Sequence, residues 1–235
     1  MPRRKVSYRS DRSEVIYSDV QWQLLKEKRE HARKICAPLH DRALPLLIYG
    51  SLARGDVHKD SDLDILINAR ISPFNIETAI SVTELKVAAR EIVQATPNDV
   101  IKGHIYLQGE ACITFFLTSG NKLNYDFYKF GGCLDYQQLI SNKRVAGVDK
   151  SLTLIIPTET GHKEMNLIGN EKLAHELLNV SPRIIQVRRR VLTKRDKVGR
   201  TGVFVKEPVG SNESFGEVLK SLADKNSLVK RKLND

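Results

Sequence analysis

Cysteine is scarce in this chain: three residues, at 36, 112 and 133. An odd number at wide spacing argues against a disulfide framework and matches no zinc signature. We read all three as reduced packing residues. The six histidines are scattered, with no HxxxH or HExxH pair, which argues against a histidine-built metal centre. No apolar run approaches the roughly 20 residues needed to span a bilayer. The opening stretch MPRRKVSYRSDRSE lacks the apolar core of a signal peptide. The expected compartment is therefore the cytoplasm, with no membrane partner. Internal repeats and low-complexity tracts are also missing.

What is abundant is positive charge. The 38 Lys and Arg residues against 28 Asp and Glu give a net charge of +10. An excess of this size concentrates polyanions, so nucleotides and nucleic acids become candidate partners. A generally basic surface without that role is the plainer reading. At 235 residues the chain has room for one large domain or two small ones.

Residues 1–17 are polar and basic, with Arg3, Arg4, Lys5, Arg9 and Arg12, and are expected to form a loose arm or a short strand. Spacing of Val20, Trp22, Leu24, Leu25 and Ile35 predicts an amphipathic helix over 19–36, capped by Ser18 or Asp19. Leu46 to Tyr49 reads as a buried strand ending at Gly50, with a short helix from Ser51. Alternation along Asp62 to Ile67 predicts a second strand. It places Asp62 and Asp64 on one face and Leu63, Ile65 and Ile67 on the other. A helix is expected over 75–95. Three strands should follow, at 100–107, 111–117 and 122–130, the last two joined by a hairpin turn at Ser119-Gly120-Asn121. Another hairpin pairs 143–147 with 152–156, and 157–165 reads as a linker.

The chemistry concentrates in Tyr49-Gly50-Ser51-Leu52-Ala53-Arg54-Gly55 and Asp60-Ser61-Asp62-Leu63-Asp64. Glycine lets backbone approach a phosphate, and serine at a helix start offers it N–H and hydroxyl donors. Carboxylates are the hard ligands Mg²⁺ takes, usually one or two of them shared with substrate phosphates. Two aspartates on a strand alone would mark no more than a solvated edge. Following a strand and a Gly-Ser turn, they suggest a site for a metal-bound nucleotide.

Gly50-Ser51-x-Ala53-Arg54-Gly55 followed by Ser61-Asp62-x-Asp64 resembles the signature of the polymerase-β-like nucleotidyltransferase superfamily, and its minimal forms above all. The likeness is dense over 46–67 and extends loosely to about residue 130. It implies an α+β fold, a mixed β-sheet flanked by helices. It also implies transfer of a nucleoside monophosphate from an NTP, ATP among the candidates, to a hydroxyl. Two Mg²⁺ ions would be held by three acids, with Asp62 and Asp64 as catalytic and metal-binding residues. Ser51 and the Gly50 backbone would bind the β and γ phosphates. Arg54 would either contact phosphate or brace the turn through Asp56 or Asp60.

In that resemblance a third acid comes from a later strand. Asp126 is the expected residue, as a third catalytic and metal ligand, because a charge inside the apolar-aromatic run Leu123–Tyr128 needs a reason. Pairing with a nearby lysine is the competing explanation. Glu110 is the rival acid, though beside Gly109 it looks like a turn residue.

The chain is expected to divide into a catalytic domain at 18–160 and a helical, basic domain at 166–235. In the second, a short helix at 170–178, a Val180-Ser181-Pro182 turn and a long helix at 183–198 precede a Gly-rich segment at 199–205. Two further helices follow, at 213–223 and 227–233. The pattern suits a winged helix-turn-helix. Arg188, Arg189, Arg190, Lys194, Arg195 and Arg200 are its candidate nucleic-acid contacts, made to phosphates because no aromatic ladder accompanies them. A solvated charged face is the alternative. Three functions follow: a Mg²⁺-dependent nucleotidyltransferase with an acceptor such as RNA, an inactive relative that binds nucleic acid, or a transferase acting on a protein or small molecule. The sequence does not set an oligomeric state.

Overall fold

Short apolar runs punctuated by Gly, Pro, Asn and Asp set the order of elements in the computed structural model, which describes residues 6, 12–199 and 202–234. The chain begins β1 (Ser13–Ile16), α1 (Asp19–His40), β2 (Leu46–Tyr49), α2 (Ser51–Arg54), β3 (Leu63–Ile67) and α3 (Pro73–Ser81). It continues β4 (Val87–Gln94), β5 (Lys102–Leu107), β6 (Ala111–Phe116), α4 (Lys122–Phe130), β7 (Cys133–Asp135) and α5 (Tyr136–Ile140). The rest is β8 (Gly147–Val148), β9 (Thr153–Thr158), β10 (Gly161–Asn166), α6 (Glu171–Leu178), α7 (Pro182–Val198), β11 (Val205–Pro208), α8 (Phe215–Lys225) and α9 (Ser227–Asn234). The fold is α+β. A mixed sheet has the strand order β11-β4-β5-β6-β3-β2-β7, and a four-stranded sheet has the order β1-β10-β9-β8. Among the described residues no helix is long and apolar enough to cross a membrane.

Two compact units result. One gathers the described residues of 1–33, 48–61 and 121–201, and the other those of 34–47, 62–120 and 202–235. The expected boundary near 160–166 falls inside the first unit, where β10 pairs antiparallel with β9, Gly161 opposite Thr158. The segment expected to be a linker is thus largely a strand. Its glycine is required: a Cβ at Gly161 would stand 1.9 Å from the Val15 carbonyl oxygen of β1. The core of this unit joins Phe130, Leu154, Leu167, Leu178, Ile185 and Leu192, all buried.

In the second unit β3 and β6 run parallel, while β6, β5, β4 and β11 pair antiparallel in turn. The single helix expected over 75–95 is a helix and a strand. Pro73 opens α3 at its first turn, and β4 then buries Ile92 and Gln94 between exposed or half-buried neighbours. Likewise 122–130 is a helix, not a strand. Asn121 and Asn124 form a reciprocal capping box at its start, so Ser119-Gly120-Asn121 is a helix entry rather than a hairpin.

The winged helix-turn-helix expectation is corrected at its wing. Val205 lies opposite Gln94, so the strand after α7 extends the mixed sheet through β4 instead of forming a hairpin of its own. Arg200 lies outside the described residues. Phe215 of α8 is fully buried and meets Phe115 of β6 edge-on, with ring centroids 5.0 Å apart. Phe215→Ala is expected to destabilise the protein by about 3–5 kcal/mol. Urea unfolding measures it, and a loss below about 1 kcal/mol would show that α8 is not part of the sheet's core.

Candidate active site

The turn after β2 is built from glycines that the backbone demands. Gly50 has φ 86° and caps the single turn of α2, and Gly55 closes it at φ 101°. Both values lie where a side chain is strained. The Gly50 amide donates to the Gly132 carbonyl at 2.9 Å, and the Gly55 amide to the Ser51 carbonyl at 2.7 Å. Ser51 is half-buried at the first position of α2; Gly50 stands at the cap position, so the serine is not the cap residue.

Arg54 resolves in favour of bracing. It is buried, and its guanidinium donates to Asp56 Oδ2 at 2.9 Å and to the Gly131 carbonyl at 2.6 Å. A Cβ on Gly132 would come within 2.8 Å of the Arg54 side chain. Tyr17 adds a second tie, its hydroxyl donating to the Gly55 carbonyl at 2.9 Å. Burial, and then the nearby Asp56 charge, push the Tyr17 phenol up to about 12, so it stays a neutral donor at pH 7. Arg144 lies over the Trp22 ring at 4.8 Å, and its side chain stands where a Cβ on Gly55 would go.

In the second unit, Asp62 is exposed just before β3 and Asp64 is half-buried within it. Leu63, Ile65 and Ile67 are buried, as the alternation predicts. Asp64 lies opposite Cys112 of β6, Cys112 opposite Tyr106 of β5, and His104 opposite both Thr114 and Glu91. A polar row therefore crosses the sheet beside Asp64. The Tyr106 hydroxyl donates to Glu91 Oε1 at 2.6 Å, and His104 Nδ1 lies 3.0 Å from Thr114 Oγ1. Burial and then Lys102 push the His104 imidazole down to about 4, so it is neutral at pH 7. Burial raises the Cys112 thiol to about 12 and keeps it protonated.

The sequence reading missed this row. The alternation of Lys102, His104 and Tyr106, and of Cys112 and Thr114, was its visible signal. Glu91 was hidden inside the helix expected over 75–95. Strand β6, next to β3, carries no acid. Glu110 is a turn residue with φ 61°, as its neighbour Gly109 suggested.

Asp126 requires a correction. It sits on α4, not on a strand, and is buried at 1% exposure. Its charge has a local reason: Lys122 Nζ donates to Oδ1 at 3.1 Å, one turn back on the same helix, and the Ser181 amide donates to Oδ2 at 2.9 Å. Ser181 is the cap residue of α7, its hydroxyl accepting from the Ile184 amide. Asp126 thus ties α4 to the start of α7. Among the described residues no three His, Cys, Asp or Glu side chains are assembled to hold a metal ion. Asp62 and Asp64 do fit Mg²⁺ by donor chemistry. They are two hard oxygen ligands at an accessible strand start, the number such an ion takes when it is shared with substrate phosphates.

The candidate nucleic-acid contacts on α7 separate into groups. Arg188 packs over the Phe127 ring at 4.7 Å, and burial, then Arg195, lowers it to about 10; it is a packing residue. Arg189 pairs with Glu171 at 2.7 Å. Arg190 and Lys194 are exposed, and Arg195 is half-buried.

Residues 29–114 match the family model of the nucleotidyltransferase domain. The match agrees with the polymerase-β-like resemblance of the Gly-Ser and Asp-x-Asp motifs, and it ends before Asp126 and α7. No curated protein and no solved structure matches the chain.

For Asp126, burial acts to raise the carboxyl, but the hydrogen bonds from Ser181 and Lys122 outweigh it and hold the group below its ordinary range. A depressed folded value contributes stability that is present above the unfolded carboxylate value and lost as pH falls through the folded one. Asp126→Asn is therefore expected to destabilise the fold by about 1–3 kcal/mol at pH 7. Chemical unfolding across pH should show the gap to wild type closing in acid. A gap that is nil at pH 7, or constant down to acid unfolding, would contradict the capping role.

Proposed function

We propose that this chain transfers a nucleoside monophosphate from an NTP to a hydroxyl acceptor in a Mg²⁺-dependent reaction. The observation that carries the reading is the Asp62–Asp64 pair at the start of β3, inside the segment that matches the nucleotidyltransferase domain. In the transfer, the acceptor oxygen forms a bond to the α-phosphorus and the bond to the bridging β-phosphate oxygen breaks, releasing pyrophosphate. Phosphoryl chemistry of this kind asks the protein for position and charge more than for covalent help.

Asp62 and Asp64 hold the metal side of the nucleotide. Asp62 and Asp64 would hold Mg²⁺, and the metal would supply neutralisation of phosphate charge and a lowered pKa for the attacking hydroxyl. The Gly50 backbone and the Ser51 hydroxyl take the β and γ phosphates. Arg54 contributes through rigidity: it pins the turn to Asp56 and Gly131 so that these donors keep their places. Asp126 is left out of the transfer step, since Ser181 and Lys122 engage its oxygens. The net charge of +10 favours a polyanionic acceptor such as RNA over a protein or small molecule.

A second reading has its own support. Cys112 stands opposite Asp64 on the neighbouring strand, where a third acid would complete the constellation. A two-carboxylate site suits a protein that binds nucleotide without turnover.

The test incubates the protein with each α-labelled NTP, Mg²⁺ and pools of RNA, DNA or protein. Label should move into one pool, and Asp62→Asn and Asp64→Asn should each slow it by about 10²–10³-fold. Intact NTP binding with no transfer into any pool would overturn the transferase reading in favour of the second.

A further inference from the structure

One face of α7, with Arg183, Gln186, Arg190, Thr193, Lys194 and Lys197, borders an open surface pocket of about 830 Å³. Arg183, Arg190, Lys194 and Lys197 are exposed. They recur seven, four and three residues apart, which puts their side chains on one helical face. At 1.5 Å rise per residue this stripe is about 21 Å long. Among the described residues that line the pocket there is no acid and no aromatic ring. Arg189, which also borders it, is held by Glu171.

The opposite side of α7 is occupied. Ile184, Ile185 and Leu192 are buried, and Arg188 lies over Phe127. Asp126 and the Ser181 cap fix the start of the helix. The helix is therefore held by its apolar side, and it presents a fixed row of cations on the other.

We propose that this face of α7 docks the phosphate backbone of a nucleic-acid duplex. Four cations in a row complement a run of phosphates, and the intervening Gln186 and Thr193 supply neutral donors to the same oxygens. The described lining offers cations and neutral donors rather than rings, so the occupant proposed is a duplex. Proteins that hold single strands stack the bases on aromatic rings, whereas a duplex needs only its backbone met. The surface rests on the nucleotidyl-transfer reading only for its purpose, which is to hold a nucleic-acid acceptor; binding itself needs no turnover.

The experiment measures affinity of the full chain for a 5′-labelled duplex of about two helical turns, and for its single strands, by anisotropy across a salt series. Each phosphate neutralised contributes about −0.9 to the slope of log affinity against log salt, so four cations predict roughly −3 to −4. The triple variant Arg190→Gln, Lys194→Gln, Lys197→Gln should flatten the slope by nearly 3 and weaken binding at low salt by about tenfold or more. Lys150→Gln with Lys163→Gln, two exposed cations elsewhere, serves as the control and should leave the slope unchanged. An unchanged slope in the triple variant, an equal loss in the control, or tighter binding of single strands than of duplex would overturn the proposal. A transfer assay on the wild type separates the two readings. Duplex binding that persists without any transfer in wild type would sink the enzymatic reading and leave the α7 face standing.

Discussion

One buried guanidinium holds the glycine turn in shape. Arg54 spans from Asp56, two residues on, to the Gly131 carbonyl, 77 residues on. Around it the backbone is packed too closely for side chains. Gly132 faces the Arg54 stem, and a Cβ on Gly147 would fall 2.5 Å from the Gly132 amide nitrogen. A buried charge left without its partner costs about 3–5 kcal/mol, so this pair over-determines the conformation that Gly50 and Gly55 adopt. Under the proposed function, the arginine of the Gly-Ser signature would act on phosphate through geometry, by fixing where the Gly50 backbone and the Ser51 hydroxyl are presented, while its own charge is paired with Asp56.

The same economy explains Asp126. A carboxylate inside an aromatic run looks catalytic in sequence because burial must be compensated. The compensation turns out to be structural, an N–H at the start of α7 and a lysine one turn away. What remains accessible is Asp62 and Asp64, with the Cys112, Tyr106, His104 and Glu91 row beside them. That row is neutral at its nearest members. The carboxylates nearest the strand start are therefore Asp62, just before β3, and Asp64 within it, which suits the proposed capture of a metal-bound triphosphate.

Legibility in the sequence followed the strength of local signals. The strand at 46–49, the Gly-Ser turn and the Asp-x-Asp strand were readable because a buried strand, two glycines and strict alternation each point one way. The helices α1, α6, α7, α8 and α9 were readable from apolar spacing and caps. Residues 87–94 were not, since Val-Ala-Ala-Arg-Glu-Ile-Val-Gln satisfies helical spacing until sheet neighbours decide it. Residues 122–130 failed in the opposite direction: aromatic content argued for a strand, and the Asn121–Asn124 capping box decided for a helix. Strand β10 was invisible because Gly-His-Lys-Glu-Met-Asn has no apolar alternation; its pairing with β1 and β9 makes it a strand. The division into units was the least legible, because α7 and α8 are close in sequence yet belong to different cores.

Binding of a paramagnetic metal tests the central claim most directly, that Asp62 and Asp64 form the metal–nucleotide site while Asp126 is a helix tie. Mn²⁺ would be titrated into the protein with a non-hydrolysable NTP and followed by the loss of its free-ion spectrum. The account predicts tight Mn²⁺ uptake by wild type, its loss in Asp62→Asn and Asp64→Asn, and its retention in Asp126→Asn at a temperature where that variant is folded. Uptake that survives both β3 substitutions, or that disappears in folded Asp126→Asn, would contradict it.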